Sequence, residues 1–284
     1  MSSPHDHHDH DGGFAADPPR LLGRRRALAL LGGLGLAATS APAWAEALTA
    51  LPWETAGPYP ADGSNAKAGQ VVNALTQDGV IRSDIRSSFG DHSASVEGVP
   101  LSLDLTLSNA TDGTPLSGHA IYVWHCDAVG EYSLYDVAEA NWLRGVGVAD
   151  DEGRVQFSTI VPGCYDGRWP HIHFEVFESV EAAVSGEASV LTAQIAIPEA
   201  DAAAVYETDP VYSNGTRNLG RITIPSDNVF GDNSEAQIAQ QTLSMSGSPS
   251  EGYSGAVTIP VDFNADRTLS MPPRPGVGGP PPRD

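Results

Sequence analysis

The chain has 284 residues, with 15 Lys and Arg against 36 Asp and Glu, and a net charge of −21 at pH 7. This length allows one large domain with a substantial hydrophobic core. The acidic balance argues against nucleic acid and anionic membrane surfaces as partners, because both would repel the protein. Beyond that exclusion, strong acidity is consistent with simple solubility.

The first 45 residues have the three-part organisation of a bacterial export signal. Three arginines at 24–26 precede the apolar run ALALLGGLGLAA, and Ala-Trp-Ala at 43–45 is a small-x-small cleavage site. The apolar run is too short to span a bilayer permanently, so no stable membrane insertion is expected after cleavage. The motif RRAL favours twin-arginine (Tat) export over a Sec signal. We therefore expect an exported protein, periplasmic or extracellular.

Two cysteines, Cys126 and Cys164, occur in the whole chain. In an exported protein they allow one disulfide. The alternative is a pair of buried free thiols, and the separation of the two Cα atoms decides between them.

From residue 99 onward, short strands alternate with turns. Leu101, Leu103, Leu105 and Leu107 alternate with polar residues, which is typical of a half-buried strand. The segment 119–127 is apolar on both faces and is therefore expected to lie centrally in its sheet. A DDEG turn between two strand patterns predicts a hairpin, and EADAAAVYE after Pro198 predicts a short helix. The predicted strands are 101–107, 119–127, 143–150, 154–161, 171–178, 189–197, 219–224 and 256–263.

These elements predict an all-β fold, a β-sandwich with few short helices. Residues 46–98 are rich in turns and are expected to form an N-terminal arm and loops. The sandwich domain is expected at 99–268, followed by a Pro/Gly-rich tail at 269–284.

A His-x-His pair within the strand HIHFEV is a candidate for a metal site. Because side chains alternate along a strand, His171 and His173 point to the same face. Paired imidazoles suit iron, copper, zinc or nickel. No Cys pair or Asp/Glu at short ligand spacing completes a zinc set.

Two tyrosines in turns upstream of this strand, Tyr132 and Tyr165, could complete the site. Phenolate is a hard, anionic ligand that suits a ferric ion, and tyrosinate on the haem iron of catalase is a known instance. A trivalent ion makes the required loss of the proton easy. The alternative is that both are ordinary turn tyrosines with a buried ring and a solvated hydroxyl.

The motifs GEYSLY, VPGCYDGR and HIHF, in this order, resemble the intradiol ring-cleavage dioxygenases of the catechol and protocatechuate type. The resemblance extends from about Pro100 to Ile197, and it includes PLSGHAIYVWHCDAVGEYS, LRGV, DDEGRVQFSTIVPGCYDGRWPHIHF and LTAQI. Together these motifs are specific, whereas HIH alone would not be. The resemblance implies an all-β sandwich that holds one non-haem Fe(III) through two Tyr and two His.

Position by position, the resemblance assigns ligands and supporting residues in this chain. The implied metal ligands are Tyr132, Tyr165, His171 and His173. Tyr165 is the ligand expected to give way to the substrate and to take a proton as it leaves. Arg168 is expected to stabilise negative charge on the ring, and Gln194 to orient a bound ligand. Gly57–Tyr59 resembles, less specifically, the family's N-terminal arm near the pocket.

The resemblance implies an Fe(III)-dependent enzyme that cleaves a catechol-like ring with O2 and gives a muconic-type diacid. The chain lacks the helical N-terminal dimerisation domain of the catechol-specific enzymes, so it most resembles the exported, single-domain branch. An alternative from another class is an exported, non-catalytic β-sandwich binding module that keeps the family scaffold. The complete ligand set together with Arg168 and Gln194 favours the enzyme.

Neither the particular catechol nor the oligomeric state is specified by the sequence. The loops expected to set specificity are at 59–98 and 136–143. There Arg82, Arg86 or Arg144 could attract an anionic substrate despite the acidic surface.

Overall fold

The structure of the protein is a computed structural model that describes residues 48–267. The expected export signal at 1–45 and the Pro/Gly-rich tail at 269–284 lie outside the described residues. Within residues 48–267, no helix is long and apolar enough to cross a membrane.

Short strands are the main regular elements of the described chain. They are β1 (Asp62–Lys67), β2 (Gln70–Asn73), β3 (Pro100–Asn109), β4 (Ala120–Trp124), β5 (Arg144–Val148), β6 (Arg154–Ile160), β7 (His171–Phe177), β8 (Leu191–Ala196), β9 (Ser244–Ser248) and β10 (Gly252–Val261). The helices are α1 (Val180–Ser185), α2 (Glu199–Thr208), α3 (Gly215–Leu219) and α4 (Glu235–Gln241), with 3-10 turns at Ile224–Ser226 and Phe230–Asp232. The helix predicted after Pro198 is confirmed as α2, and Pro198 occupies its N-cap position.

Two four-stranded sheets form the sandwich, and the predicted fold class is confirmed. The first sheet has the order β5-β4-β7-β8 and is antiparallel throughout. The second has the order β6-β3-β10-β9, in which β3 and β10 run parallel. Leucines at alternate positions of β3 are buried in the core between the sheets, as their spacing predicted: Leu101, Leu103, Leu105 and Leu107.

The first sheet is covered on both faces. On β4, Ile121 and Val123 belong to the core between the sheets, whereas Tyr122 and Trp124 belong to a second cluster on the opposite face. All of β4 is buried between β5 and β7, which confirms its predicted central position. The second cluster forms because the N-terminal arm lies against this outer face.

The predicted hairpin between β5 and β6 is wrong. The two strands follow each other closely, but β5 pairs with β4 in the first sheet and β6 pairs with β3 in the second. The turn at 150–153 therefore carries the chain from one sheet to the other. Gly147 permits this crossing, because a Cβ there would lie 2.3 Å from Cγ1 of Val155.

The strand predicted at 219–224 is also wrong. This segment contains the end of α3, a turn at 220–221 and the start of a 3-10 turn. Gly220 ends the helix, and Pro225 has no N–H with which to join a sheet. The apolar side chains Leu219, Ile222 and Ile224 instead pack on the core from the turns.

The N-terminal arm contains a hairpin that the sequence analysis did not predict. Strands β1 and β2 pair antiparallel across Ala68 and Gly69, whose φ angles of 51° and 81° are the positive values that a tight two-residue turn requires. Before the hairpin, the arm is joined to the first sheet where Glu54 N donates to Thr192 O at 2.8 Å.

Candidate metal centre

The four predicted ligands come together at one end of the first sheet. The hydroxyl oxygens of Tyr132 and Tyr165 are 3.5 Å apart, and that of Tyr165 is 3.3 Å from Nε2 of His171. Nε2 of His171 is 3.0 Å from Nε2 of His173. Two phenol oxygens and two imidazole nitrogens thus surround one small volume.

The histidines reach this volume because β7 alternates between two buried layers. Ile172 and Phe174 enter the core between the sheets, and the intervening His171 and His173 point to the outer face. The ring of His173 is stacked on Trp124 of β4, with centroids 4.9 Å apart and an angle of 4°.

The tyrosines are held by two loops that approach each other closely through glycines. Gly163 N donates to Asp127 O at 3.0 Å, and a Cβ on Gly163 would lie 2.5 Å from Ala128 O. Gly130, at φ 94°, would similarly place a Cβ 2.8 Å from Cβ of Tyr165. Side chains at these two glycines would push apart the loops that carry the two tyrosines.

Burial keeps all four donor groups uncharged in the protein alone. It lowers the pKa of His171 to about 3 and that of His173 well below its usual value. It raises the pKa of Tyr165 to about 12 and that of Tyr132 well above its usual value. Neutral imidazole is the form that binds metal, and a bound cation would lower the phenol pKa values.

The hydrogen bonding of the histidines fits a metal cation. Nδ1 of His171 is bonded to the Trp169 carbonyl oxygen, so Nε2 of that ring carries a lone pair directed at His173. Nδ1 of His173 is buried without a hydrogen-bond partner. No group of three or more His, Cys, Asp and Glu within residues 48–267 is arranged to hold a metal ion. A metal here therefore depends on the two tyrosines, and this donor set suits ferric iron.

Arg168 and Gln194 lie together beside these donors. Arg168 Nη2 donates to Gln194 Oε1 at 2.6 Å, and Gln194 Nε2 donates to Thr55 O at 3.1 Å. Arg168 Nε donates at 2.9 Å to Asp227, whose carboxylate is fully buried. Burial favours a lower pKa for Arg168, but Tyr165 and Asp227 outweigh it and raise the pKa. A cationic guanidinium is thus held next to the tyrosine in the more exposed loop.

The arm segment at Gly57–Tyr59 is close to the ligands, as the weaker part of the resemblance implied. A Cβ on Gly57 would lie 3.3 Å from Cε1 of His173. The ring of Tyr59 lies 5.0 Å, centroid to centroid, from that of Tyr132. The arm therefore forms one wall of the site.

The arginines expected to attract an anionic substrate are used by the protein itself. Arg144 is buried. Arg82 donates to the backbone carbonyl oxygen of Arg144, from Nε at 3.0 Å and from Nη2 at 2.6 Å. Arg86 pairs with Asp84 at 2.7 Å. In addition, Cys126 and Cys164 are both buried free thiols.

Sequence reasoning missed Glu54, which lies behind Gln194. Its Oε1 accepts hydrogen bonds from Asn233 at 2.7 Å and Gln241 at 3.0 Å, and Oε2 has no partner. Burial raises the pKa of Glu54 to about 7, even though the bonds from Gln241 and Asn233 lower it. Asn233 follows Glu54 by 179 residues, so no local sequence motif could predict this contact.

We expect Glu54→Gln to flatten the dependence of stability on pH. Above the usual Glu pKa of 4.5 the unfolded chain releases the Glu54 proton, whereas the folded chain keeps it up to about 7. The free energy of unfolding therefore falls as pH rises through this window, and Gln has no such proton. Urea unfolding measures the free energy of unfolding at about pH 5 and about pH 8. The decrease between these two pH values should be smaller in the variant than in the wild type, by on the order of 2 kcal/mol. The exposed Glu97→Gln is the control and should behave as wild type; equal slopes for all three proteins would contradict the raised pKa.

Comparisons with known proteins agree with the motifs. A family model described as Dioxygenase matches residues 89–184. A catechol 1,2-dioxygenase of Pseudomonas sp. (strain EST1001) is 34% identical over 56 residues, 19% of this chain and 18% of the relative. Another, of Candida albicans, is 41% identical over 58 residues, 19% of each protein. The matched stretch thus spans about a fifth of the length of these curated relatives.

A solved structure extends the likeness over most of the chain. The intradiol ring-cleavage dioxygenase from Tetranychus urticae has a TM-score of 0.56 and 21% identity, covering 78% of this chain and 98% of that one. At this identity the comparison speaks for the fold alone. The family model matches the segment that contains Tyr132, Tyr165 and the histidine pair. The motifs, the local matches and the shared sandwich all indicate that the chain is similar to the intradiol ring-cleavage dioxygenases.

Proposed function

We propose that this protein is an iron-dependent dioxygenase that uses O2 to cleave a catechol-like ring between its two hydroxyl-bearing carbons, giving a muconic-type diacid. The observation that carries the proposal is the convergence of two phenol oxygens and two imidazole Nε2 atoms beside the half-buried Arg168. The residues proposed to hold non-haem Fe(III) are Tyr132, Tyr165, His171 and His173. Bound there, ferric iron would draw electron density from a catechol and make its ring reactive towards O2.

The two tyrosines are suited to different tasks. Tyr132 is 1% exposed, whereas Tyr165 is half-buried in a loop whose next two residues are exposed. Tyr165 is therefore the side chain that can move aside for a substrate. A Tyr165 phenolate that had held a metal would take a proton from a catechol hydroxyl on leaving, because burial raises the pKa of the free phenol to about 12.

Arg168 supplies positive charge where the substrate loses its protons. Its guanidinium lies near Tyr165 and is held in place by Asp227 on one side and Gln194 on the other. A fixed cation in a buried site stabilises developing negative charge without having to reorganise. Gln194 in turn is fixed by its bond to Thr55 O, so the arm takes part in holding the pair.

Metal analysis, visible absorption and oxygen uptake with a panel of catechols test the proposal. We expect stoichiometric iron, a red-brown colour from tyrosinate-to-Fe(III) charge transfer, and oxygen consumption matched by a ring-opened diacid. A colourless protein with stoichiometric zinc would refute it. An iron protein that binds catechols but consumes no O2 would instead support the non-catalytic binding module.

Tyr132→Phe should weaken the colour and reduce iron content, because it removes a buried phenol oxygen from the donor set. Tyr135→Phe is the matched control: Tyr135 is also a buried tyrosine near the arm, but its hydroxyl donates to Asn65 at 2.6 Å and accepts from Ala61 N at 3.0 Å. The control should keep both iron and colour. If both variants keep the wild-type spectrum, Tyr132 is not a ligand.

A further inference from the structure

Arg144 is a buried cation whose hydrogen bonds all go to groups of the protein. The residue is 1% exposed, at the start of β5. Nε donates to Ser133 Oγ at 3.0 Å, and Nη1 donates to Pro60 O at 2.9 Å and to the Tyr122 hydroxyl at 3.1 Å. Nη2 donates to Tyr59 O and Ser133 O, both at 3.0 Å. The five N–H groups of the guanidinium thus have five acceptors.

These acceptors belong to the segments that carry the metal centre. Ser133 follows Tyr132 directly, so two of the bonds fix the backbone next to that phenol. Tyr59 and Pro60 belong to the arm, and the ring of Tyr59 packs 5.0 Å from that of Tyr132. One planar guanidinium therefore joins β5, the Tyr132 loop and the arm.

A third connection runs towards the histidines. The Tyr122 ring is stacked on Trp124 at 4.9 Å, and Trp124 is stacked on His173 at 4.9 Å. Tyr122 also donates to Pro60 O at 2.8 Å, the same carbonyl that accepts from Arg144. The guanidinium is thus linked both to the Tyr132 loop and, through stacked rings, to His173.

We propose that Arg144 is a positioning residue that fixes Tyr132 and the Tyr59 arm at the metal centre, and that it does not bind substrate. The proposal rests on the proposed function in so far as the centre holds iron. Lysine cannot replace the arginine, because an ammonium group has three donors on a flexible stem, whereas these acceptors surround a rigid five-donor fork. With three carbonyl and two hydroxyl oxygens as acceptors, the guanidinium has no N–H left for a ligand.

Arg144→Lys in the full iron-loaded chain tests the assignment by spectrum and kinetics together. We expect the charge-transfer band to shift and kcat to fall about 10- to 100-fold, the range typical when an outer partner of a metal ligand is lost. Arg86→Lys, at an exposed arginine paired with Asp84, is the control and should change neither. A rise in KM with an unchanged band would mean that Arg144 contacts the substrate and would overturn the proposal. A lower Tm with unchanged band and kcat would reduce its role to stability and also overturn it.

Two further measurements keep the test decisive. Ser133→Ala removes one of the five acceptors of Arg144, together with the hydrogen bond from Ser133 Oγ to Trp142 O at 2.7 Å. It should shift the band in the same direction by less, so it serves if Arg144→Lys does not fold. Hydrogen exchange can be measured on metal-free protein, so it depends on neither iron nor activity. Arg144→Lys, or Ser133→Ala in its place, should speed backbone amide exchange at residues 57–63 and 132–137. Exchange in β3 and β10 should not change. Unchanged exchange overturns the positioning role. A colourless wild type with the expected exchange pattern refutes the proposed function alone.

Discussion

His173→Ala should abolish iron binding and lower kcat/KM for catechol cleavage by more than about 100-fold, because loss of a mere outer partner of a metal ligand already costs 10- to 100-fold. The Nε2 atom of His173 lies 3.0 Å from that of His171 and is one of the two imidazole nitrogens in the proposed donor set. The ring also stacks on Trp124, so its removal leaves a cavity at the donor cluster. Iron content, the visible spectrum and oxygen uptake on the same preparation measure the effect.

His125→Asn is the matched control for this variant. His125 is buried at the end of the neighbouring strand, but Nδ1 lies 2.8 Å from Cys126 O and Nε2 lies 2.7 Å from Thr159 Oγ1. Both ring nitrogens are thus used by the fold, and the variant should lose stability while keeping iron and colour. If His173→Ala retained stoichiometric iron and full activity, the His-x-His strand would not be the metal site.

The sandwich and the shared face of the two histidines could be predicted because their signals are local. Leu101 to Leu107 alternate within one strand, and the spacing of two between His171 and His173 places both on one face. The tyrosines could be assigned only through motifs spanning many residues, because a single turn tyrosine has no distinguishing pattern. The structure then brings their hydroxyl groups to 3.5 Å from each other.

The wrong or missing predictions concern residues whose structural partners are distant in the sequence or lie outside the local pattern. The turn after β5 has the composition of a hairpin, but the packing of Gly147 against Val155 directs β6 into the other sheet. The segment 219–224 has the composition of a strand, but its neighbours Gly220 and Pro225 and its contacts with the core make it a series of turns. Asp227 reaches Arg168 across 59 residues, and nothing in the sequence around either residue indicates the pair.

Asp227→Ala should lower the free energy of unfolding by about 3 to 5 kcal/mol, the usual cost of removing one partner of a buried ion pair. The carboxylate accepts from Arg168 Nε at 2.9 Å and from Trp169 N at 2.7 Å. It also accepts from the backbone N–H groups of Val229 and Phe230, at 2.9 and 3.0 Å. Alanine leaves these donors unpaired and the guanidinium without its counter-charge. Urea unfolding measures the loss.

The same variant should reduce kcat/KM about 100-fold, since a misplacement of about 1 Å in a positioned group can cost that much. Asp227→Asn retains an acceptor for the backbone donors but not the charge, so it should recover part of the stability and little of the activity. Asp84→Ala breaks the exposed pair with Arg86 and should cost less than about 1 kcal/mol. If Asp227→Ala cost no more than Asp84→Ala, the buried pair would not hold Arg168. Arg168 would then have to be positioned through Gln194 and the arm, which Gln194→Ala would reveal as the larger loss of activity.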